Sequence, residues 1–233
     1  MQEYSVSFDR QPLLVGEILE LRPLRAGDFE ALFRVAADPL IWEQHPEPNR
    51  YQEATFRSFF EEALASGGAL VALDRATGQI IGSSRYHGYD AERSVIEIGW
   101  TFLARSHWGG RYNGEMKRLM VEHAFKLVKR VIFIIGPDNR RSQRAVEKIG
   151  GVHSGTITDA HGRERVVYEL TPALYARRTG SGAAEPALAR RPLDLGSSLL
   201  LHGGCRSPQL SQEKGSRPFC FLLPSATCFA LPK

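Results

Sequence analysis

The sequence predicts a mixed α/β domain with a mostly antiparallel central sheet flanked by helices. Short apolar runs typical of strands recur along the first 170 residues, and two of them are joined by a turn sequence. Amphipathic segments, with apolar residues three and four positions apart, lie between those runs. The order is strand, helices, antiparallel strands, helix, strand, helix, strand. That order is typical of a sheet whose later strands are connected through helices.

The N-terminal part is predicted to form one strand followed by helices. Residues 17–24 contain four aliphatic residues and are predicted as the first strand, and residues 29–36 have the spacing of an amphipathic helix. Asp38-Pro39 ends this helix and favours the start of another, because proline fits a first helical turn. Residues 56–64 carry three phenylalanines at helical spacing, and Gly67-Gly68 closes this segment.

The middle of the chain is predicted as three antiparallel strands and a helix. Residues 69–73 and 79–86 flank the turn sequence at residues 74–78 and therefore predict a hairpin. Residues 94–103 predict the third strand. Residues 113–128 have their apolar positions on one helical face, which predicts an amphipathic helix that packs on the sheet.

The last predicted elements complete the sheet. Residues 131–135 are entirely apolar, which is expected of a central strand. Residues 139–149 predict a short helix. Val152 and residues 165–170 have strand character on either side of a turn at residues 159–164, so they are expected to pair.

The periodic pattern ends near residue 178, so residues 1–178 are predicted to be the folded domain. Residues 179–233 are predicted to be a disordered or non-native tail, because their short apolar bursts have no consistent period. Six of the 13 prolines and all three cysteines (Cys205, Cys220 and Cys228) lie there. The domain itself therefore has no disulfide framework and no thiolate metal site.

Charge and hydropathy exclude several classes of function. Residues 1–180 contain 24 Lys or Arg against 23 Asp or Glu, so we expect no nucleic-acid partner. No run approaches the ~20 apolar residues of a membrane span, and no signal core is present, so we expect a cytoplasmic protein without a membrane partner. The histidines lack the spacing of a metal site, so no metal is expected.

The segment 98–117 (IGWTFLARSHWGGRYNGEMK) is where the chemistry is predicted. A strand leads into a loop with Gly109, Gly110 and Gly114, and the loop opens an amphipathic helix. Glycines allow close approach of a ligand to the backbone, and the free N–H groups of a first helical turn attract anions. A pyrophosphate fits such a site. The alternative is that the glycines only turn the chain. Walker and dinucleotide fingerprints are both absent.

Three motifs then resemble the GNAT acetyltransferases, and the ribosomal-protein N-terminal acetyltransferases in particular. The sequence WGGRYNGEMKRLM is similar to the coenzyme A loop of that family, although Arg111 stands where glycine is usual. Asn139 to Ser142, followed by EKIGG, resembles the family's NxxS helix, with Gly151 in place of an aromatic residue. The opening LELRPLRAGDFEAL resembles the family's start. Together the motifs cover roughly residues 16–172.

This resemblance implies an acetyl-CoA-dependent N-acetyltransferase in which the amine attacks the thioester directly. The strand before the loop is expected to diverge from its neighbour, so that its backbone amides hold the pantetheine arm and the thioester carbonyl. The amide of Asn139 is expected to bind the cofactor arm, and the arginines are expected to meet its phosphates. The residues implied for cofactor binding are Trp100, Thr101, Phe102, Leu103, Trp108, Gly109, Gly110, Arg111, Tyr112, Asn113, Gly114, Asn139, Arg141 and Ser142.

Three residues are candidates for proton transfer. Glu97 is the candidate general base, if burial raises its pKa; otherwise it is a solvated strand residue. Ser142 is a candidate proton donor to the leaving thiolate, or else bonds locally at a helix start. Tyr168 is an alternative acid, or a packing residue. Trp42 and His45 fall where the acceptor pocket is expected, although core packing is the more common role for such a tryptophan.

The acceptor is expected to be a primary amine, either a protein N-terminus or a small molecule, and a homodimer is compatible with the resemblance. A coenzyme A-binding sensor without catalysis is the alternative function, because Arg111 and Gly151 depart from the family pattern.

Overall fold

The computed structural model describes residues 7–180, which form one eight-stranded sheet and five α-helices. The strands are β1 (Leu14–Val15), β2 (Leu19–Pro23), β3 (Ala69–Asp74), β4 (Ile80–Asp90), β5 (Val95–Leu103), β6 (Arg130–Ile135), β7 (Val152–Thr158) and β8 (Glu164–Leu170). The helices are α1 (Phe29–Ala36), α2 (Glu53–Ala65), α3 (Arg111–Ala124), α4 (Arg140–Glu147) and α5 (Pro172–Thr179).

The strand order in the sheet is β1-β2-β3-β4-β5-β6-β8-β7. Only β5 and β6 pair in parallel, and every other neighbouring pair of this sheet is antiparallel. The parallel pair requires a crossover, which α3 supplies, whereas the antiparallel pairs from β2 to β5 follow one another along the chain with α1 and α2 inserted after β2. The predicted mostly antiparallel mixed sheet is confirmed.

The two faces of the sheet carry separate apolar clusters. In β3, Leu70 and Ala72 pack into one cluster while Ala69 and Val71 pack into the other, as the two-residue alternation of a strand requires. The first cluster lies against α3 and includes Met116, Met120 and their neighbours on β5 and β6. The second lies against α1 and α2 and is dominated by phenylalanines. Both helical layers are therefore fixed by burial against the sheet.

The carboxylate of Glu115 fastens the start of α3 to the start of β2. It accepts hydrogen bonds from the backbone N–H groups of Glu17 (2.6 Å), Ile18 (2.9 Å) and Leu19 (3.0 Å). A Cβ atom at Gly16 would lie 2.5 Å from the carboxyl carbon of Glu115, so glycine leaves the space that this side chain occupies. The contact holds the N-terminal end of α3 in register with the sheet.

The elements predicted from sequence are present, with differences at their boundaries. The helix predicted over residues 113–128 runs from Arg111 to Ala124, because residues 125–127 form a turn after it. Strand β1 was not predicted, since two residues show no period. Helix α5 was also missed, although Thr171 accepts from the backbone N–H of Leu174 and Pro172 occupies its first turn. The tail predicted over residues 179–233 lies, apart from Thr179 and Gly180, outside the described residues.

Candidate active site

A cleft opens between β5 and β6 where their pairing stops. Val95, Ile96 and Glu97 pair with residues 130–132 of β6, and no further pair follows. Beyond that point, residues 98–103 of β5 and residues 133–136 line opposite walls of one cavity. The divergence of the strand from its neighbour, which the resemblance implied, is present in the structure. It leaves backbone groups of β5 without partners in β6.

A bulge in β5 lies at the base of this cleft. Trp100 has a φ of +52°, a left-handed conformation that costs a residue with a side chain roughly 1–2 kcal/mol. The pairing of β5 with β4 shifts register at the same place, between Ser83 and Arg85. Such strain in a strand often lies next to a functional site, where a bulge re-aims backbone groups and side chains.

The N-terminus of α3 lies at one end of the cleft. Gly109 has a φ of +67°, and Gly110 is the N-terminal cap residue but has no side chain to accept from the first turn. The N–H groups of residues 110–113 therefore have no acceptor within the helix. A Cβ atom at Gly109 or Gly114 would meet nothing within 4 Å. The arrangement is an open helix terminus that suits an anion.

Trp108 and Arg141 join the glycine loop to α4. The indole Nε1 of Trp108 donates to the carbonyl oxygen of Leu103 (2.8 Å), which fixes the ring against the end of β5. The guanidinium of Arg141 lies 4.0 Å from the centre of that ring and donates to the carbonyl oxygen of Ile41 (2.7 Å). Both residues line the cleft, close to the helix terminus that would receive phosphate groups.

Not every residue of the predicted cofactor set faces the cavity. Ten of the set line it, namely Trp100, Thr101, Phe102, Leu103, Trp108, Gly109, Asn113, Asn139, Arg141 and Ser142. The side chain of Arg111 is 75% exposed and pairs with Glu17 (3.2 Å). The hydroxyl of Tyr112 donates to Asp74 (3.1 Å), away from the cavity. These two residues, with Gly110, present backbone N–H groups at the helix terminus rather than side chains in the cleft, whereas the N–H of Gly114 is bonded within the helix.

Asn139 and Ser142 begin α4 on the wall formed by β6. The Oδ1 atom of Asn139 accepts from the backbone N–H of Ser142 (3.1 Å), so the amide that the resemblance assigned to the cofactor arm caps the helix. This bond orients Ser142 at the cleft. Its hydroxyl has no hydrogen-bond partner within residues 7–180 and is free to bond to a ligand there.

Glu97 is buried beside the cleft and is not the solvated residue that the sequence left open. Only 8% of it is exposed, and no group in the described part of the chain donates a hydrogen bond to its carboxylate. Its Oε1 atom lies 3.1 Å from the position a Cβ would take at Gly99, which lines the cavity. Burial raises the pKa of Glu97 to about 7, although the charge of Arg85 acts in the opposite direction. A carboxylate that titrates near neutrality suits a general base.

Tyr168 does not reach the cleft. Its hydroxyl donates to Oε1 of Glu147 at the end of α4 (2.9 Å), and its ring packs edge-on against His153. The residue is 5% exposed and belongs to the apolar cluster under α3. These contacts match the packing alternative that the sequence left open for Tyr168.

Lys117 is a cleft residue that sequence reasoning missed. It is 5% exposed, and its Nζ donates to Oγ1 of Thr101 (3.0 Å), which in turn lies 2.7 Å from Oγ of Ser84. Burial lowers the pKa of Lys117 to about 8. The helical spacing could have identified it. Lys117 lies four residues after Asn113 and four before Val121, which places it on the buried side of α3.

Trp42 and His45 lie at the other end of the cleft, as the sequence allowed. The indole of Trp42 is 2% exposed and donates to the carbonyl oxygen of Ala36 (2.7 Å). Burial, followed by the charge of Arg50, lowers the pKa of His45 to about 3, so its ring is neutral at physiological pH. Nη1 of Arg50 lies 3.0 Å from Nε2 of His45. Arg50 and Arg165, which the sequence did not single out, complete this end.

No group of three or more His, Cys, Asp or Glu residues that could hold a metal ion occurs within residues 7–180. Within the same part of the chain, no helix is both long and apolar enough to cross a membrane.

Comparison with known proteins decides the family. A family model described as "Acetyltransferase (GNAT) domain" matches residues 19–152, more than half of the chain. The chain belongs to the GNAT acetyltransferase family. The matched region contains β2 to β6, the whole of α3 and α4, and so every part of the cleft except β8.

Individual GNAT relatives are more distant. The uncharacterized protein YkkB of Bacillus subtilis (strain 168) is 36% identical over 90 residues, which are 37% of this chain and 52% of YkkB. The match thus spans about half the length of that curated relative. A GCN5-related N-acetyltransferase from Brucella melitensis has a TM-score of 0.63 at 20% identity, covering 73% of this chain and 85% of its own.

A structure of Mycobacterium smegmatis RimJ in complex with CoA-disulfide has a TM-score of 0.55 at 19% identity, covering 73% of this chain and 92% of its own. At such identities the two GNAT structures establish a shared fold. The family transfers acyl groups from acetyl-CoA.

Proposed function

We propose that this GNAT chain is an acetyl-CoA-dependent N-acetyltransferase that acetylates a primary amine. The observation that carries the proposal is the cleft between β5 and β6, which combines an open helix terminus at one end with a buried carboxyl of raised pKa beside it. Neither feature would be needed if these residues served only to stabilise the fold. Both are needed for binding an activated acyl donor and deprotonating an amine.

The residues present fit acetyl-CoA, which supplies an activated acetyl group as a thioester. The N–H groups of residues 110–113 would bind its pyrophosphate, because a helix N-terminus favours anions. The stretch of β5 from Trp100 to Leu103 has no strand partner on the β6 side, so its backbone would hydrogen-bond the amides of the pantetheine arm. Backbone donors aimed at the thioester oxygen contribute about 3–4 kcal/mol in comparable sites.

Proton movement falls to two side chains of the cleft. The amine must lose a proton to become a nucleophile, and Glu97, directly or through a water, accepts it. The nitrogen then forms a bond to the acetyl carbon as the carbon–sulfur bond breaks, and the thiolate needs a proton. The nitrogen, which still has a second proton to lose, passes it to the thiolate through the free hydroxyl of Ser142 or through a water that this hydroxyl orients. The products are an acetylated amine and the free thiol of coenzyme A.

The two departures that favoured a sensor now have structural reasons. A Cβ at Gly151 would lie 2.4 Å from Cγ1 of Val146, so packing against α4 requires glycine there in place of an aromatic residue. Arg111 extends into solvent and pairs with Glu17, leaving the helix terminus open. Neither departure blocks the site, so neither argues against catalysis.

Amine-stimulated release of free coenzyme A from acetyl-CoA tests the proposal. The acceptors should include small amines and peptides with free N-termini, because the family match names no acceptor. Release that rises with amine concentration, together with the acetylated product by mass spectrometry, is expected. Binding of acetyl-CoA without release for any amine would favour the sensor, and an absence of binding would end the proposal.

A further inference from the structure

The walls of the cleft carry an unbalanced positive charge. Four cationic side chains line it, those of Arg50, Lys117, Arg141 and Arg165, whereas none of its lining residues is Asp or Glu. Two of the four lie where acetyl-CoA accounts for them. Arg141 stacks on Trp108 beside the glycine loop, and Lys117 donates to Thr101 on β5. Arg165 forms an ion pair with Asp159 (2.7 Å), so the charge that requires another explanation is that of Arg50.

Arg50 has no carboxylate within ion-pair distance in the described part of the chain. Its guanidinium lies 4.4 Å from the ring centre of Phe59 and 5.7 Å from that of Trp42. His45, its polar neighbour, is neutral and cannot compensate the charge. Packing on aromatic rings explains how Arg50 is held, but a partly buried guanidinium retains unused donors that suit a planar anion.

Arg165 presents a second free donor at the same end of the cleft. Its Nε and Nη2 atoms donate to Asp159 (2.9 and 2.7 Å), which fixes the orientation of the side chain. Its Nη1 atom has no acceptor within residues 7–180, and it lies 3.6 Å from the position a Cβ would take at Gly136, another residue of the cavity wall. Arg165 is thus held in place, and its Nη1 group is free to donate to a ligand.

A third guanidinium lies behind the wall. Arg85 is 5% exposed, and its Nε and Nη2 atoms have no hydrogen-bond partner within residues 7–180. It lies 4.6 Å from the ring centre of Trp100, which lines the cleft, and 5.6 Å from that of Phe59, the ring that also contacts Arg50. A buried guanidinium with unused donors adds to the positive potential at this end of the cavity.

We propose that the acceptor is an amine that carries a carboxylate, and that Arg50 binds the carboxylate with the help of Arg165. The inference rests on the proposed function and specifies its substrate class. The open N-terminus of α3 serves the cofactor, and neither Arg50 nor Arg165 forms a hydrogen bond or ion pair with it or with the glycine loop within residues 7–180, so these two side chains are assigned to the acceptor. A free amino acid and an acidic peptide N-terminus both supply this chemistry.

Matched pairs of amines test the inference on the full-length protein. One set compares amino acids with their primary amides, such as alanine with alaninamide, and the other compares peptides that begin with Asp with the same peptides beginning with Asn. Release of coenzyme A is followed at saturating acetyl-CoA. We expect kcat/KM to be at least about tenfold higher for the carboxylate member, because a charge-assisted bond is lost with the amide. The set in which this preference occurs shows whether the acceptor is a free amino acid or an acidic peptide N-terminus.

Variants assign the preference to Arg50. Arg50→Gln should raise KM for the carboxylate acceptor about 10- to 100-fold and remove the preference, while KM for acetyl-CoA is unchanged. Arg50→Lys, which retains the charge, should keep part of it. The matched control is Arg57→Gln on α2, an exposed arginine paired with Glu53 and outside the cleft. If Arg50→Gln does not fold, the wild-type pairs and Arg50→Lys still decide the question.

The outcomes separate the two proposals. Equal rates for both members of every pair, or a preference that survives in Arg50→Gln, would overturn the carboxylate inference and leave the acetyltransferase standing. Acetylation of no member of any pair while acetyl-CoA still binds would also overturn it. Failure to bind acetyl-CoA at all would refute the proposed function itself.

Discussion

Lys117 on α3 donates a hydrogen bond of 3.0 Å to Oγ1 of Thr101 on β5, across the base of the cleft. This bond places a buried ammonium group beside the strand that would hold the thioester. No carboxylate forms an ion pair with Lys117 in the described part of the chain, and burial holds its pKa near 8. The charged form is therefore maintained against a desolvation cost, which makes stability depend on pH.

Replacing Lys117 with methionine should reveal that cost. The pKa is about 8 in the folded state and 10.5 in the unfolded chain, so between these values the unfolded state binds more protons and wild-type stability rises with pH. Relative to Lys117→Met, the wild-type free energy of unfolding should increase by about 1–3 kcal/mol between pH 7.5 and 10. Urea unfolding of both proteins across this range measures the difference.

The control for this prediction is Lys126→Met, which removes an exposed lysine. Its difference from wild type should not change over the same pH range. A constant difference for Lys117→Met would show that Lys117 titrates normally in the folded protein.

Glu97→Gln should lower kcat by about 100-fold or more, because the proposed base is removed. In the wild type, kcat/KM should fall as the pH decreases through about 7, where the carboxylate of Glu97 becomes protonated. The variant should lack this limb. Two acceptors whose amines differ in pKa distinguish the enzyme's limb, which stays near 7, from ionisation of the amine. Glu92→Gln, an exposed change in the turn before β5, is the control. If the midpoint of this fall in kcat/KM follows the pKa of the acceptor amine, the assignment of Glu97 as the general base loses its support.

Gly114→Glu should weaken acetyl-CoA binding while the protein remains folded. A side chain at this position meets no atom within 4 Å, so the new carboxylate fits, but it lies in the first turn of α3, where it repels a pyrophosphate. We expect the Kd to rise by at least about tenfold with an unchanged melting temperature. Gly27→Glu is a matched control, since a Cβ at Gly27 also meets nothing. Unchanged affinity in Gly114→Glu would place the nucleotide elsewhere.

Glu115→Gln should destabilise the fold by about 1–3 kcal/mol, because an amide presents its NH₂ group to backbone donors that a carboxylate accepts. Gly16→Ala should act on the same contact from the other side, since its Cβ would clash with the carboxyl group. Chemical denaturation measures both. Glu53→Gln, a change of the same type at an exposed position of α2, should stay within about 0.5 kcal/mol. Equal effects of Glu115→Gln and Glu53→Gln would contradict the structural role.

A chain that ends after Gly180 should retain acetyltransferase activity and thermal stability. The boundary predicted near residue 178 falls within α5, whose last residue is Thr179 and which ends in a left-handed Gly180. A chain that ends after Thr171 should lose stability by about 1–3 kcal/mol, because it removes the packing of Leu174 and Tyr175 on the core. An inactive but folded product of the first cut would assign a function to residues 181–233.

Much of the fold was predictable because it depends on local patterns. The alternation within β3 and the helical spacing of residues 29–36 set which face of each element is buried, and the structure has those faces inward. The glycine loop before α3 was likewise predictable. A chain that passes from a strand into a helix through Gly109 and Gly110 leaves the first backbone N–H groups of the helix unpaired, and this does not depend on where the helix packs. Motif order then pointed to the family.

The sequence by itself determined the order of elements, the position of the open N-terminus of α3 and the candidate base at Glu97. Only the tertiary structure decided that Glu97 is buried, that Tyr168 is not among the residues lining the cleft, and that Arg50 and Arg165 both line it. The physical reason is the distance along the chain over which each effect acts. Periodicity and turn chemistry act over a few residues, whereas burial, charge balance and pKa depend on neighbours that the fold brings together, such as the three amides that bind Glu115 from nearly one hundred residues away.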